Sequence, residues 1–519
     1  MGHGQFDAPA FDDPPRLVRW LDDRGASFVV VRTLVLRLLG LVHFVAFASA
    51  YTQAPALIGE HGLLPAPRYL DAIARFSGSR LLGALKVPSL FWLHFSDAAL
   101  RGACALGVVL AIAVMLGVTN AGFMLALWAL QLSLANVGQV FWGYGWEIQL
   151  GETGLLAALL CPMTTWRPFA SARPPLVAIW LLRWLIVRIM LGAGLIKLRG
   201  DPCWRELTCL VFHYETQPNP SPLSHVLHHM PRGFHVAGVV WNHVVELGAP
   251  LLVLGPRTAR RIAGALFVTF QAILIASGNL SFLNWLTIVP AIACFDDALL
   301  ARFRLAPARV LAVARDPSRL HARIARGYAL VVALLSVPVI VNLCSSQQAM
   351  NQSYEPLGIV NTYGAFGSVT RVRHEVVLQG TSDEAPDAAR WLDYELPCKP
   401  GDPERRPCLV SPWHYRLDWQ MWFAAMSSYE EEPWLAVVAE KLLDGDRSIA
   451  PLFARDPFPH APPRFVRAQL FRYEMTRPGE PGWWRRTLVG EYMRPLSKND
   501  PELDVFLRER GLRGSLPNH

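Results

Sequence analysis

Nine stretches of this chain are suited to lipid rather than water, and this fact most narrows what it can fold into. They run from Val29 to Ala50, Ala103 to Val118, Ala121 to Val140, Trp146 to Met163, Leu176 to Leu198, Phe234 to Leu254, Ile262 to Leu280, Phe282 to Phe295 and Tyr328 to Cys344. No water reaches backbone groups in hydrocarbon, so a crossing segment satisfies them internally as a helix of about 20 residues. Such runs, in a chain of 519 residues that is 52% apolar, define an α-helical polytopic membrane bundle of about nine spans over residues 29–345. The eighth window is short and suits a re-entrant helix.

Charge sets the orientation. The first 28 residues are polar and acidic, and the first apolar run carries Arg32 and Arg37, so it reads as an uncleaved anchor behind a cytoplasmic arm, residues 1–28. Arg257, Arg260 and Arg261 fall in one connection, and Arg302 to Arg326 supply seven arginines to another. The positive-inside rule places both in the cytoplasm. Residues 199–233 and everything after Ser345 then face the lumen or periplasm. The formal charge of +8 is scattered through short loops rather than gathered on one face, which argues against nucleic acid as a partner.

Past Ala349 the composition turns soluble. Alternating stretches at Val369 to Gln379, Phe465 to Thr476 and Trp484 to Met493 read as half-buried strands, and Asp418 to Ser427 and Trp434 to Leu443 have helical spacing. Residues 346–519 are therefore expected to form a soluble β-rich domain with one or two helices. Cys398 and Cys408 close a Pro/Gly-rich polar loop that suits a disulfide, and a disulfide fits an oxidising compartment.

Ionisable side chains at membrane depth cost several kcal/mol unless paired or wet. Glu147, Glu152, Arg183, Arg188, Asn242, His243 and Glu246 form such a set. Pairing of Glu147 and Glu152 on the fourth span with Arg183 and Arg188 on the fifth is expected, either to lock the bundle or to line a polar cavity. The loop after the fifth span supplies Lys197, Arg199, Asp201, Cys203, Arg205, Glu206, Cys209, His213 and Glu215. Asp201-Pro202 is a good helix start, so Cys203 to His213 should be helical. Cysteines six apart on a helix point about 240° apart and cannot bridge unless it breaks. They read as buried structural residues or as thiols able to exchange with a redox partner.

His213, His228, His229 and His235 cluster near Glu215, but only His243 and Glu246 share a helix face at ligand spacing, so no metal is expected. No G-x-S-x-G, P-loop, dinucleotide fingerprint or H-E-x-x-H occurs. No catalytic residue and no cofactor are assigned. An intramembrane enzyme would depend on Lys197, His243 and Glu246, a thiol helper on Cys203 or Cys209, and a transporter on a continuous polar path.

Longer patterns carry a resemblance. Gly192-Ala-Gly-Leu-Ile-Lys-Leu-Arg-Gly-Asp-Pro-Cys-Trp-Arg-Glu-Leu-Thr-Cys209, Phe212 to Pro222, Ser277-Gly-Asn-Leu-Ser-Phe-Leu-Asn-Trp-Leu-Thr287, Ala293 to Asp297, Ile359-Val-Asn-Thr-Tyr-Gly-Ala-Phe-Gly-Ser368, Cys398 to Cys408 and Ser411-Pro-Trp-His-Tyr-Arg-Leu-Asp-Trp419 resemble the lipase maturation factor family from the first span to Tyr492. The resemblance implies a multi-pass protein needed for secreted lipases to reach their folded form, in the endoplasmic reticulum membrane of a eukaryote or the inner membrane of a bacterium. It also implies client binding through the C-terminal domain. Trp413, Tyr415, Trp419 and Trp422 are the aromatic candidates for that contact, with secreted lipase-like proteins and the lipid bilayer as partners.

Overall fold

The structure, a computed structural model, describes residues 23, 27–163, 173–305 and 316–513. The expected arm, residues 1–28, lies outside these apart from Asp23, Ser27 and Phe28, as does part of the basic connection. Among the described residues six helices are long and apolar enough to cross a bilayer: α1 (Val29–Ile58), α4 (Asp97–Leu116), α7 (Leu176–Arg199), Arg232–Val253, α13 (Arg257–Ser277) and α16 (Arg319–Cys344). Between α1 and α4 lie the short helices α2 (Ala66–Ser77) and α3 (Arg80–Lys86).

Three of the nine expected spans fall short of that length. They are α5 (Ala121–Val137, 17 residues), α6 (Gly145–Leu160, 16 residues) and the helix Leu283–Cys294. At 1.5 Å per residue α6 is about 24 Å long, against a hydrocarbon core of about 30 Å. α6 is also enclosed on nearly every side, with Glu147, Gln149, Glu152 and Thr153 all inside.

Burial sorts the bundle into centre and rim. α1 and α7 have 67% and 72% of their apolar windows buried, whereas α4 has 28% and α16 only 22%. Leu330, Leu334, Val337 and Val341 along α16 are left exposed because in a membrane lipid, not protein, covers them. At the N-terminal end of α1 the Asp297 carboxylate accepts from the amides of Val29 (2.7 Å), Val30 and Val31 (3.1 Å each) and from the Ser27 hydroxyl. Those amides have no partner within the helix, and an anion there also meets the positive end of its dipole.

The helix Arg232–Val253 is not regular. Arg232–His243 gives way to a π turn at Val244–Gly248 before Ala249–Val253 resumes. Glu246 lies in that turn. A Cβ on Gly194 of α7 would come within 2.7 Å of Leu247 and 3.0 Å of Glu246, so the glycine permits this approach.

The C-terminal region builds one antiparallel sheet in the order β2-β1-β3-β4, with β1 Arg373–Thr381, β2 Leu392–Asp393, β3 Phe465–Met475 and β4 Trp484–Ser497. Val377 pairs with Gln469 and Phe471 with Leu488, and bulges interrupt the β3/β4 register. The three expected long strands are present: β1 starts four residues later than expected, β3 agrees to within one residue and β4 runs four residues further. α17 (Arg416–Ala424) and α18 (Trp434–Asp444) match the expected helices, and a third, Pro501–Glu509, is added behind an Asp500 cap. One continuous core joins sheet, helices and bundle, from Leu39 and Phe141 to Trp434 and Val466.

Candidate functional site

Several buried charges of the bundle are engaged in ion pairs. Arg188 of α7 is ion-paired with Glu152 of α6, as expected between those two helices, and both are 1% exposed. The pair extends outward: Glu152 also accepts from the Tyr363 hydroxyl (2.7 Å) and the Asn361 side chain (2.9 Å), while Arg188 donates to the Asn361 carbonyl (2.8 Å). The strap Ile359 to Ser368 is thereby tied to the membrane helices.

Glu147 and Arg183 do not pair with each other. Arg183 meets Asp23, whose other oxygen accepts from Arg260 at 2.8 Å. Glu147 meets Arg416 of α17 at 2.7 Å, with neither side chain exposed to solvent. Span order could not foretell this, because both partners come from outside the two helices. Arg416 also donates to the Phe141 carbonyl (2.7 Å) and lies over Trp142, 3.8 Å from the ring centre. Lys197 donates to Glu246 (2.6 Å) and Asn242 (2.9 Å), and Asn242 donates to Glu246 (2.9 Å). A ring nitrogen of His243 is hydrogen-bonded to the Trp204 carbonyl at 3.0 Å.

The hairpin after α7 departs from expectation. Its helix breaks: Pro202–Arg205 is one turn, Leu207 adopts φ +58°, and a new helix starts at Cys209 and ends at Thr216. With the break, the Cα atoms of Cys203 and Cys209 come to 4.8 Å and the two form a disulfide, each cysteine wholly buried. Their ligand atoms lie within 4.8 Å of a carboxylate oxygen of Asp201, but sulfurs bonded to each other offer no thiolate to a metal. Asp201 instead caps the short helix through the Cys203 amide (3.0 Å) and pairs with Arg371 (2.7 Å). That guanidinium holds its carboxyl down to about 2.

Most of the remaining loop residues are tied down as well. Arg199 donates to Gln348 (2.7 Å) and the Leu343 carbonyl (2.8 Å), and Arg205 donates to the Leu198 carbonyl (2.6 Å). Glu215 accepts from the Met475 amide at 2.7 Å, and Glu206 is exposed. Among the histidines, His229 contacts the His225 carbonyl (2.7 Å), and His228 lies 3.7 Å from Glu215. Burial pushes His228 down to about 4.

These ties meet along one seam between the bundle and the C-terminal region. Arg373 of β1 donates to the carbonyls of Glu215 (2.8 Å) and Pro218 (2.9 Å). Asn279 donates to the Cys408 carbonyl (2.9 Å) and accepts from the Val410 amide (2.8 Å), and Trp285 donates to Ser411 (3.1 Å). Cys408 is paired with Cys398, their Cα atoms 5.3 Å apart. The Cys398 and Lys399 amides both reach Asp418 at 2.7 Å. Burial nonetheless pushes the Asp418 carboxyl up to about 6.

The seam encloses a cavity of about 310 Å³. Tyr144 and Trp146, stacked 4.5 Å apart at the start of α6, form one wall, and Trp146 meets Trp419 edge-on at 4.9 Å. Trp422, Phe423, Met426, Met350 and Phe366 of the strap line it as well. Trp422 is fixed by donating to the Thr216 carbonyl at 2.9 Å. His213 reaches the cavity edge, where burial first and the Lys197 charge second push it down to about 4. Trp413 and Tyr415 are elsewhere, around a smaller hollow with Thr52 and Gln53. The four aromatic candidates therefore divide into two pairs, and two further cavity residues, Tyr144 just before the fourth apolar window and Trp146 at its start, are ones the sequence did not single out.

A membrane-embedded helical bundle that buries its charges in pairs, and carries on one end a folded sheet domain with an aromatic cavity at the joint, is the class of protein these features define. Residues 30–302 match the lipase maturation factor transmembrane domain and residues 359–494 match the lipase maturation factor C-terminal domain. The chain belongs to the lipase maturation factor family. It is 48% identical to lipase maturation factor 1 of Bos taurus, over 92% of this chain and 91% of that one, and 46% identical to that of Homo sapiens, over 93% and 90%. Lipase maturation factor 2 of Gallus gallus is 30% identical over 94% and 84%. No solved structure matches it.

Proposed function

We propose that this chain is a membrane-anchored maturation factor for secreted lipases, and that the seam cavity takes an apolar side chain of an incompletely assembled client. A maturation factor needs no bond-making chemistry. It needs a surface that holds the unfinished client and lets the native one go, which lowers the population of aggregation-prone states by mass action. One observation carries the reading: the cavity is walled by Trp146, Trp419, Trp422, Phe423, Met350 and Met426, and rigid aromatics beside adaptable methionines suit varied apolar groups.

The orientation follows from the two ends of α1. Arg257, Arg260 and Arg261 gather with Asp23 and Asp296 near its start, whereas Gln53, near its end, accepts from the Arg416 amide at 2.9 Å. The C-terminal domain thus sits on the side away from the basic connection. The positive-inside rule supports reading that side as lumenal in an endoplasmic reticulum membrane, or periplasmic in a bacterial inner membrane.

The other readings find less support. Lys197 is already engaged by Asn242 and Glu246, which leaves it no free role as a base, and the Cys203–Cys209 bridge is sealed from solvent.

The test is co-expression with a secreted dimeric lipase. Filling the cavity with Met350→Trp or Met426→Trp is expected to reduce secreted lipase activity several-fold while the variant protein accumulates normally. Unchanged lipase output from folded, filled variants would remove the cavity from the reading. Full output from a chain lacking residues after Ala349 would remove the C-terminal domain from it.

A further inference from the structure

Between α1 and α4 the chain makes a hairpin that no span accounts for. α2 has 12 residues and α3 has seven, about 18 Å and 10 Å long, too short to cross hydrocarbon. They are separated by Gly78, whose φ of +82° ends α2. The inner side of the hairpin is fixed: Leu70, Phe91 and Trp92 are buried in the main core, and Gly83 lies flat against the Trp92 ring. Arg80 donates to the Trp92 carbonyl at 2.9 Å, and the Trp92 indole donates to the Val87 carbonyl at 2.8 Å.

The outer side is apolar and uncovered. Phe76 is 84% exposed, Leu93 87%, Leu81 73% and Leu85 63%, joined by Leu82 and Leu90. A fixed, well-packed element facing water would not keep such a surface bare. Around it stand Arg75, Arg80 and Lys86, with the Lys86 ammonium 5.2 Å from the Phe76 ring centre. The hairpin docks on α5, where Ser133 accepts from the Leu90 amide (2.9 Å) and Asn136 donates to the Pro88 carbonyl (2.7 Å), and the chain runs from Leu93 straight into α4, whose Leu106, Val109 and Ile112 are exposed in the same way and face lipid because α4 crosses the bilayer. Apolar side chains rimmed by Arg and Lys are what an element lying in the plane of the headgroups presents.

We propose that residues 66–93 form an in-plane membrane hairpin, seated in the leaflet on the side of the C-terminal domain, with its leucines and Phe76 among the acyl chains and its cations at lipid phosphates. The side follows from two contacts: Arg68 donates to the Leu512 carbonyl (2.6 Å) and Lys441 to the His61 carbonyl (2.7 Å). Besides the spans, the hairpin gives the C-terminal domain a floor fixed at the bilayer surface. This holds whether or not the seam cavity binds a client.

Spin labels test it in the full chain, reconstituted in nanodiscs of phosphatidylcholine and phosphatidylserine. In a Cys344→Ser background the other cysteines are buried or bridged, so labels at Leu81→Cys, Leu85→Cys and Leu93→Cys report alone. All three positions are exposed, and variants that elute as a single species are compared with Asp71→Cys on the polar side. The expected result is a several-fold preference for collision with oxygen over a nickel chelate at the three leucine positions, and the reverse at position 71. Nickel preference at two or more leucine positions would overturn the proposal. So would labels shielded from both reagents, or spin–spin broadening, which would put protein or a second copy on this surface.

Discussion

The Arg416 guanidinium of the C-terminal domain lies 2.7 Å from the Glu147 carboxylate of a membrane helix, and neither side chain is exposed to solvent. Removing one partner leaves the other as an uncompensated buried charge, which costs about 3–5 kcal/mol. Arg416→Met is therefore expected to lower the unfolding midpoint in detergent markedly, and Glu147→Gln combined with Arg416→Met should recover much of the loss. A double variant no more stable than Arg416→Met would show that the charges are not coupled.

The bridge between Cys203 and Cys209 closes a loop of six residues. Loop-closure entropy for that length gives about 2 kcal/mol of stabilisation. Cys203→Ser and Cys209→Ser should each lose about that amount, and the double variant no more than either. Because both cysteines are buried, the reduced native protein should resist an alkylating reagent until it unfolds, as intact-mass measurement would read.

Gly192 packs against the strap so closely that a Cβ there would overlap the Tyr363 carbonyl oxygen. Overpacking of this kind typically costs about 1–3 kcal/mol, and here the strap can yield by leaving α7. Gly192→Val should speed amide hydrogen exchange over residues 359–368 more than over β3. Uniform change across the chain would mean that strap and sheet open together.

Acid should loosen the seam at His213. Burial holds its folded-state value near 4, against an ordinary 6.5, so between those values the unfolded chain binds a proton that the native one refuses. Stability is thus intact above pH 6.5, falls as pH drops towards 4, and levels off below, by about 3 kcal/mol for this group. Asp418 acts in the opposite sense: its raised value, about 6 against 3.8, adds stability as pH falls through the same range. His213→Gln isolates the histidine, since it removes that loss and leaves the Asp418 gain. Unfolding midpoints at pH 7 and pH 4.5 should then differ less unfavourably in the variant than in the native chain.

Local pattern carried the gross architecture and much less of the joint. Apolar runs marked the helices because burial in lipid is written into composition, and alternation marked β1, β3 and β4. Helix capping at Asp201 was legible, but the break at Leu207 that brings Cys203 to Cys209 was not, since nothing between them is a conventional helix breaker. The Arg188–Glu152 pair could be foretold from adjacent spans. Glu147 could not be matched to Arg416, nor Arg183 to Asp23, because those partners are set by how distant segments dock. The hairpin of α2 and α3 escaped for another reason: its apolar face is spread over two short helices with charges between them, and a span-length window averages it away. The long motifs at 192–222, 277–287, 359–368 and 411–419 were the one signal of the seam, for Gly192, Asn279, Tyr363 and Arg416 all fasten the two halves there.

Asp297 closes the open amides at the start of α1 from 268 residues further along the chain. During synthesis α1 therefore lacks this cap until most of the membrane part has been made. Translation order and completion order run in opposite directions, and the earliest helix is finished only when the last turn before the basic connection has emerged.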